Sequence, residues 1–204
     1  MQSSVRIRDY HPTDKPFVFH LINEGFNVDS RFRSHLDDFL DLYLHTAVLR
    51  ATHFRIALID DKPVGLLIGR IQGDPVLPGT RGKLAAIVGN FFRLLPVFPR
   101  ERTGLKDWAS EQLVAWRLMR RITARNIPVG NEVVLFVVSS QCRGTGVGKA
   151  LFGEFSEQAE EFFLYTDSHC TWQFYEKRGM RRVAEIQRTS PLYSEPVDHY
   201  IYAF

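Results

Sequence analysis

Val5-Arg6-Ile7-Arg8 alternates apolar and charged positions as a short half-buried strand does, and Pro12-Thr13-Asp14 offers a helix start before Phe17, His20 and Leu21. Phe32, Leu36, Phe39, Leu40 and Tyr43 recur at three- and four-residue spacing, which predicts a second helix capped by Ser30. Two β-rich runs, Phe54 to Ile59 and Val64 to Ile71, flank the turn-forming Asp60-Asp61-Lys62-Pro63 and read as an antiparallel hairpin. Gly and Pro punctuate Gly73 to Gly82. Two helical stretches follow, about Leu84 to Leu95 and Leu105 to Ala124, with Pro96 and Pro99 between them.

Pro128 and Gly130 close that segment before Glu132-Val133-Val134-Leu135-Phe136-Val137-Val138, a nearly continuous apolar run suited to a central strand covered on both faces. Beyond a glycine-rich loop, Val147, Leu151, Phe155, Ala159 and Phe162 line one side of a helix, and a short strand is expected near Phe163 to Thr166. A further helix is predicted from about Cys170 to Arg178, stopped by Gly179, then strands near Arg181 to Ile186 and His199 to Phe204.

Composition narrows the class. The 204 residues are 45% hydrophobic and 24% charged, without the roughly 20-residue apolar stretch that a bilayer crossing needs. One domain, 1–204, is expected. The N-terminal Met1-Gln2-Ser3-Ser4 lacks the apolar core of a secretion signal, and two cysteines make no disulfide framework, so a cytoplasmic location is expected. A net charge of +3 implies no nucleic-acid partner, but between Arg81 and Arg125 ten Lys or Arg stand against three acids, Glu101, Asp107 and Glu111. No metal site is predicted, since neither Cys-x-x-Cys nor His-Glu-x-x-His occurs.

Arg143-Gly144-Thr145-Gly146-Val147-Gly148-Lys149 runs from the central strand into a helix. Unpaired N–H groups of a first helical turn point at an anion, and glycines let the backbone approach phosphate closely. The Walker pattern fails, because three residues rather than four separate Gly144 and Gly148 and Ala150 follows Lys149. A dinucleotide fingerprint wants Gly-x-Gly-x-x-Gly early in a βαβ unit, whereas this is Gly-x-Gly-x-Gly late in the chain.

Arg143-Gly144-Thr145-Gly146-Val147-Gly148 instead resembles the signature of the GNAT superfamily, and Phe174-Tyr175-Glu176-Lys177-Arg178-Gly179-Met180 resembles a second motif of that family. The element order is also similar, except over about 72–130. The resemblance implies an α/β (α+β) fold: a mixed, mostly antiparallel sheet of six to seven strands flanked by helices, with a helical insertion between strands 3 and 4. It further implies an N-acetyltransferase that moves acetyl from acetyl-CoA directly to a primary amine, with no covalent enzyme intermediate. Backbone groups of Phe136, Val137 and Val138 would hold the pantetheine arm, and the amides from Arg143 to Lys149 the pyrophosphate. Tyr175 would protonate the departing thiolate, Glu132 would accept the amine proton, and Ser168 stands where the family often has an asparagine touching the cofactor.

A cysteine nucleophile would need Cys142 or Cys170 as a thiolate, and the adjacency of His169 to Cys170 is not geometry. The acceptor stays open between an amine-bearing small molecule and a peptide, as does homodimer formation; no membrane partner is expected. Arg93, Arg117, Arg120 and Arg121 of the inserted segment are expected to attract an anionic part of the substrate or coenzyme. The competing reading is a catalytically weak acyl-CoA-binding sensor whose insert contacts a partner.

Overall fold

A computed structural model describes residues 4–32, 34–78, 80–94, 96 and 99–204. Met1 to Ser3 and Leu95, the expected end of one helix, lie outside them. Seven strands form one sheet in the order β1-β2-β3-β4-β5-β7-β6: β1 (Arg6–Asp9), β2 (His53–Ile59), β3 (Lys62–Arg70), β4 (Glu132–Val138), β5 (Phe163–Asp167), β6 (Arg181–Arg188) and β7 (Val197–Ala203). All neighbours are antiparallel except β4 and β5. Asp60 and Asp61, both at positive φ, make the two-residue turn between β2 and β3. That handedness matches the twist of paired strands.

The helices are α1 (Lys15–Phe26), α2 (Val28–Arg31), α3 (Leu36–Val48), α4 (Thr80–Leu94), α5 (Arg102–Ala124), α6 (Val147–Gln158) and α7 (Gln173–Glu176). On one sheet face α1 and α3 bury Val18, Leu21, Ile22, Phe39 and Leu44 against Ile56, Leu66, Ile68, Leu135 and Val137. The opposite face carries α6, with Val147, Leu151, Phe152 and Phe155 packed on Leu67, Val133, Leu164 and Tyr202. Ser30 does not cap the expected long helix: Asn27 and His35 both adopt left-handed backbone, so the chain breaks into α2 and α3. The helix expected from Cys170 shrinks to the single turn of α7, because Asp167 Oδ1 accepts the amides of His169 and Cys170 and holds those residues in a turn.

Both helices expected between β3 and β4 are present. α4 packs along α3, where buried Asn90 donates to Asp41 Oδ2 at 2.6 Å. α5 lies over β6 and β7 through Val114, Leu118 and Ile122, which meet Phe163, Ala184, Ile201 and Ala203. Its Arg121 and Arg125 each donate at 2.7 Å to a carbonyl of edge strand β6, of Glu185 and Val183 respectively. Four residues of helix rise about 6 Å and two of strand about 6.6 Å, so the two spacings match and the open sheet edge is capped.

Gly104 lets α5 touch α2. A Cβ there would fall 2.1 Å from the Arg31 carbonyl oxygen and 3.2 Å from Phe32 Cε1. Alanine is the better helix former by about 1 kcal/mol, yet the overlap dominates. Gly104→Ala is expected to lower stability by about 1–3 kcal/mol in urea unfolding; unchanged or raised stability would show that α2 and α5 are not in that contact.

Candidate active site

β4 and β5 pair at only two positions, Glu132 with Phe163 and Val133 with Leu164. β4 stays on β3 as far as Val138, and β5 on β7 as far as Asp167. Beyond Val133 the two strands therefore part, and the backbone edges that face across the gap have no ladder partner in each other. Opposite the parting, the β3 register shifts between Ile68 and Gly69, which face Leu135 and Val133. Val134 is the extra residue of a bulge, a feature that bends a strand and increases its twist.

The glycine loop lies at the open end. Gly144 and Gly146 take positive φ, +82° and +92°, and Gly146 caps α6. The first intrahelical bond is Ala150 N–H to the Gly146 carbonyl. The amides of Val147, Gly148 and Lys149, ahead of it, have no carbonyl within the helix to meet. Thr145 Oγ1 donates to the Cys142 carbonyl at 2.7 Å and Glu24 Oε1 accepts from Ser140 N at 2.8 Å, which fix the loop's entry. Arg143 and Lys149 are exposed beside it.

Gly148 ties the two sequence motifs together. A Cβ there would meet Phe174 at 3.2 Å and Phe136 at 3.5 Å, so its lack of a side chain lets the loop, β4 and α7 converge. Tyr175, next to Phe174, is buried among Phe152, Phe174 and Tyr202, with ring centroids 5.5–5.9 Å away. Burial raises its phenol pKa, and the nearby Cys170 and Asp167 raise it further. The hydroxyl thus keeps its proton well into alkaline conditions and can serve as an acid.

The structure gathers Phe136, Val137, Val138, the loop and Tyr175 around the open end, while Glu132 sits at the closed end, opposite Arg70 on β3. Burial raises the Glu132 pKa against the opposing pull of Arg70 and Arg50. Ser168 follows β5, and its Oγ accepts the Asp198 amide at 3.1 Å. Burial pushes the Cys170 thiol up to about 12, so this cysteine is a thiol near neutrality and no ready nucleophile.

One polar constellation escaped the sequence reading. Asp107 is fully buried; its Oδ1 accepts from Arg188 Nη1 and from Ser190 Oγ, and its Oδ2 faces Arg31 Nε at 3.5 Å. Arg31 Nη1 donates to Glu111 Oε2 at 2.5 Å. Arg188 Nε lies 3.2 Å from His199 Nε2, and His199 Nδ1 lies 2.5 Å from the Tyr165 hydroxyl. A guanidinium can only donate, so Nε2 accepts, the imidazole proton is on Nδ1, and the Tyr165 oxygen receives it. The available signal was positional: Gly104, Asp107, Glu111, Val114, Leu118 and Ile122 share one helical face, and a carboxylate on an otherwise apolar stripe needs a buried partner. Three of the four arginines singled out in α4 and α5 have other engagements, Arg121 on the β6 edge, Arg120 over the Trp116 ring at 4.9 Å and Arg93 on Asn90.

Among the described residues no three His, Cys, Asp or Glu side chains come together as a metal site, and no helix is long and apolar enough to cross a membrane.

No family model matches the sequence, and no curated protein matches it. Solved structures do match in fold. A proposed GNAT-family acetyltransferase from Desulfovibrio desulfuricans is 17% identical, with 98% of each chain covered and a TM-score of 0.54. The histone acetyltransferase HPA2 and related acetyltransferase from Corynebacterium glutamicum is 18% identical over 97% of this chain and 95% of that one, TM-score 0.56. Arabidopsis thaliana NAA60, solved with a bisubstrate analogue, is 11% identical over 98% and 97%, TM-score 0.56. The chain has the GNAT fold, with its seven-stranded mixed sheet flanked by helices.

Burial lowers the His199 pKa from 6.5 to about 4. In ring-proton NMR this imidazole is expected to titrate near pH 4. Because the unfolded chain takes up a proton at 6.5 that the folded one refuses, His199's contribution to stability is present above pH 6.5 and is lost as pH falls towards 4. Titration at the ordinary value would mean that the imidazole is not held between Arg188 and Tyr165.

Proposed function

We propose that this protein transfers an acetyl group from acetyl-CoA directly to a primary amine. The observation that carries this reading is the parting of β4 from β5 straight onto the glycine loop, with Tyr175 buried beside it. An extended thioester arm can bond to strand edges that lack partners, and a diphosphate suits the free amides and positive end of α6. Phe136, Val137 and Val138 contribute the β4 edge; Arg143 to Lys149 contribute the anion cradle.

The amine nitrogen attacks the thioester carbonyl, a C–N bond forms and the C–S bond breaks. Tyr175 O–H gives its proton to the departing thiolate sulfur. Glu132, whose raised pKa makes it a stronger base than an ordinary carboxylate, takes the amine's proton through water. Backbone N–H groups along the parted β4 edge supply donors for the developing oxyanion. Every proton and electron pair is accounted for without an enzyme-bound acyl group.

Acetyl-CoA at a hundred times its dissociation constant is expected to stabilise the fold by about 2.7 kcal/mol, whereas ATP and NAD leave it unmoved. Tyr175→Phe should keep that shift and lose on the order of 10²-fold in kcat. With its phenol raised, the wild-type rate should show no alkaline limb from Tyr175 below pH 10. Full activity of Tyr175→Phe would remove the tyrosine from the reaction; no shift with acetyl-CoA would remove the donor.

A further inference from the structure

On the sheet face opposite Tyr175, side chains from α2, α3, α5, β5 and β6 converge where β5 leaves β4. Tyr165 is the first β5 residue past the last β4 pair. A chain of contacts ties Tyr165 through His199, Arg188, Asp107 and Arg31 to Glu111, and Tyr43 of α3 lies within electrostatic range of Glu111, Arg31 and Asp167. The cluster is not sealed: the side chains of Arg31 and Glu111 keep 13% and 16% of their surface.

The charges there do not balance. Arg31 and Arg188 are two cations against the three carboxylates Asp107, Glu111 and Asp167, and burial raises the Glu111 pKa despite the pull of Arg31, so its charge is the least compensated of the three. His199 adds none near neutrality, with its pKa lowered to about 4, and burial keeps Tyr43 and Tyr165 as neutral phenols. A partly desolvated cluster one positive charge short favours a cation that completes it.

We infer that Glu111 receives the acceptor, holding its ammonium group beside the Tyr43 and Tyr165 hydroxyls before transfer, so that α5 selects cationic amines. The inference rests on the acetyl-transfer reading. It gives α5 an acceptor-binding role through a carboxylate rather than through arginines. Arg31 fixes Glu111 in place by its 2.5 Å ion pair, and Asp107, bonded to Arg188 and Ser190, anchors the helix on which Glu111 rides. An acceptor with a carboxylate next to its amine would meet Asp107, Glu111 and Asp167 and is disfavoured.

The test is steady-state kinetics on the full chain with an alkylamine, a diamine, a lysine-containing peptide and an amino acid as acceptors. In the wild type, the diamine and the peptide should outperform the amino acid in kcat/KM. Glu111→Gln should raise the KM of the best acceptor tenfold or more, while the KM for acetyl-CoA and the thermal shift that acetyl-CoA produces stay at wild-type values. Tyr43→Phe, which keeps the ring, should raise the amine KM several-fold and serves if Glu111→Gln does not fold. An unchanged amine KM in a folded Glu111→Gln, or in Tyr43→Phe, overturns the inference alone. A wild-type protein that binds acetyl-CoA but acetylates none of the amines overturns the transfer reading beneath it.

Discussion

Backbone amides and carbonyls that leave a ladder must find other partners, and β4 leaves β5 after two paired residues. The Val134 bulge supplies the bend, and the packing on either side keeps the gap from closing. Leu135 and Val137 are fixed beneath α1 and α3, while Val133, Phe136 and Val138 face the α6 side. Each strand is drawn to its own neighbour, β4 to β3 and β5 to β7, so the sheet consists of two antiparallel halves joined at one short parallel seam. The glycine loop at the end of β4, Tyr175 on one face, and Tyr165 and Asp167 at the end of β5 are arranged about that seam.

α5 holds the second half of the sheet in this geometry. Its apolar turns lie on β5, β6 and β7, its Arg121 and Arg125 cap the β6 edge, and its Asp107 and Glu111 meet Arg188 and Arg31. Buried ion pairs seldom add much net stability, because desolvation offsets the attraction, but removing one partner leaves a charge stranded. The Asp107 network therefore acts as a positional constraint that allows one placement of α5 against α2 and β6. The close approach at Gly104 fixes the same placement sterically.

Local periodicity made the strands legible. β4 was read to the residue because Glu132 and Ser139 bracket an unbroken apolar run, and the β2–β3 turn was read from paired aspartates that tolerate positive φ. The glycine positions could be found because positive φ at Gly144, Gly146 and Gly179 is a backbone requirement that leaves a fixed spacing in the sequence. The breaks at Asn27 and His35 were not legible: the apolar spacing of Phe32, Leu36 and Phe39 continues across His35, and only tertiary packing decides where the helix stops. The cluster around Asp107 was hidden for a different reason. Arg31, Glu111, Tyr165 and His199 lie far apart in the chain, and no periodicity links residues whose proximity depends on how α5 crosses β7. The positive charge of the β3–β4 segment points to its arginines, whereas Asp107 is the charge that the fold buries there.

The two faces of the seam differ in kind, and on the proposed reading this gives the acyl transfer its direction. On the α6 side Tyr175 sits among Phe152, Phe174 and Tyr202, where burial outweighs the pull of Arg178 and keeps the phenol protonated, so that side can give a proton. On the α5 side the carboxylates outnumber the guanidiniums, so that side attracts a cation. A thioester lying in the gap would have its sulfur within the influence of the donor face, while an amine would approach from the carboxylate face. Sheet pleating enforces this separation, because Leu164 and Tyr165 are adjacent in sequence and point to opposite sides. A one-residue slip of β5 would exchange the faces. The long ladder from Phe163 to Asp167 on β7 prevents that slip, while the two-residue pairing to β4 leaves the gap free to open.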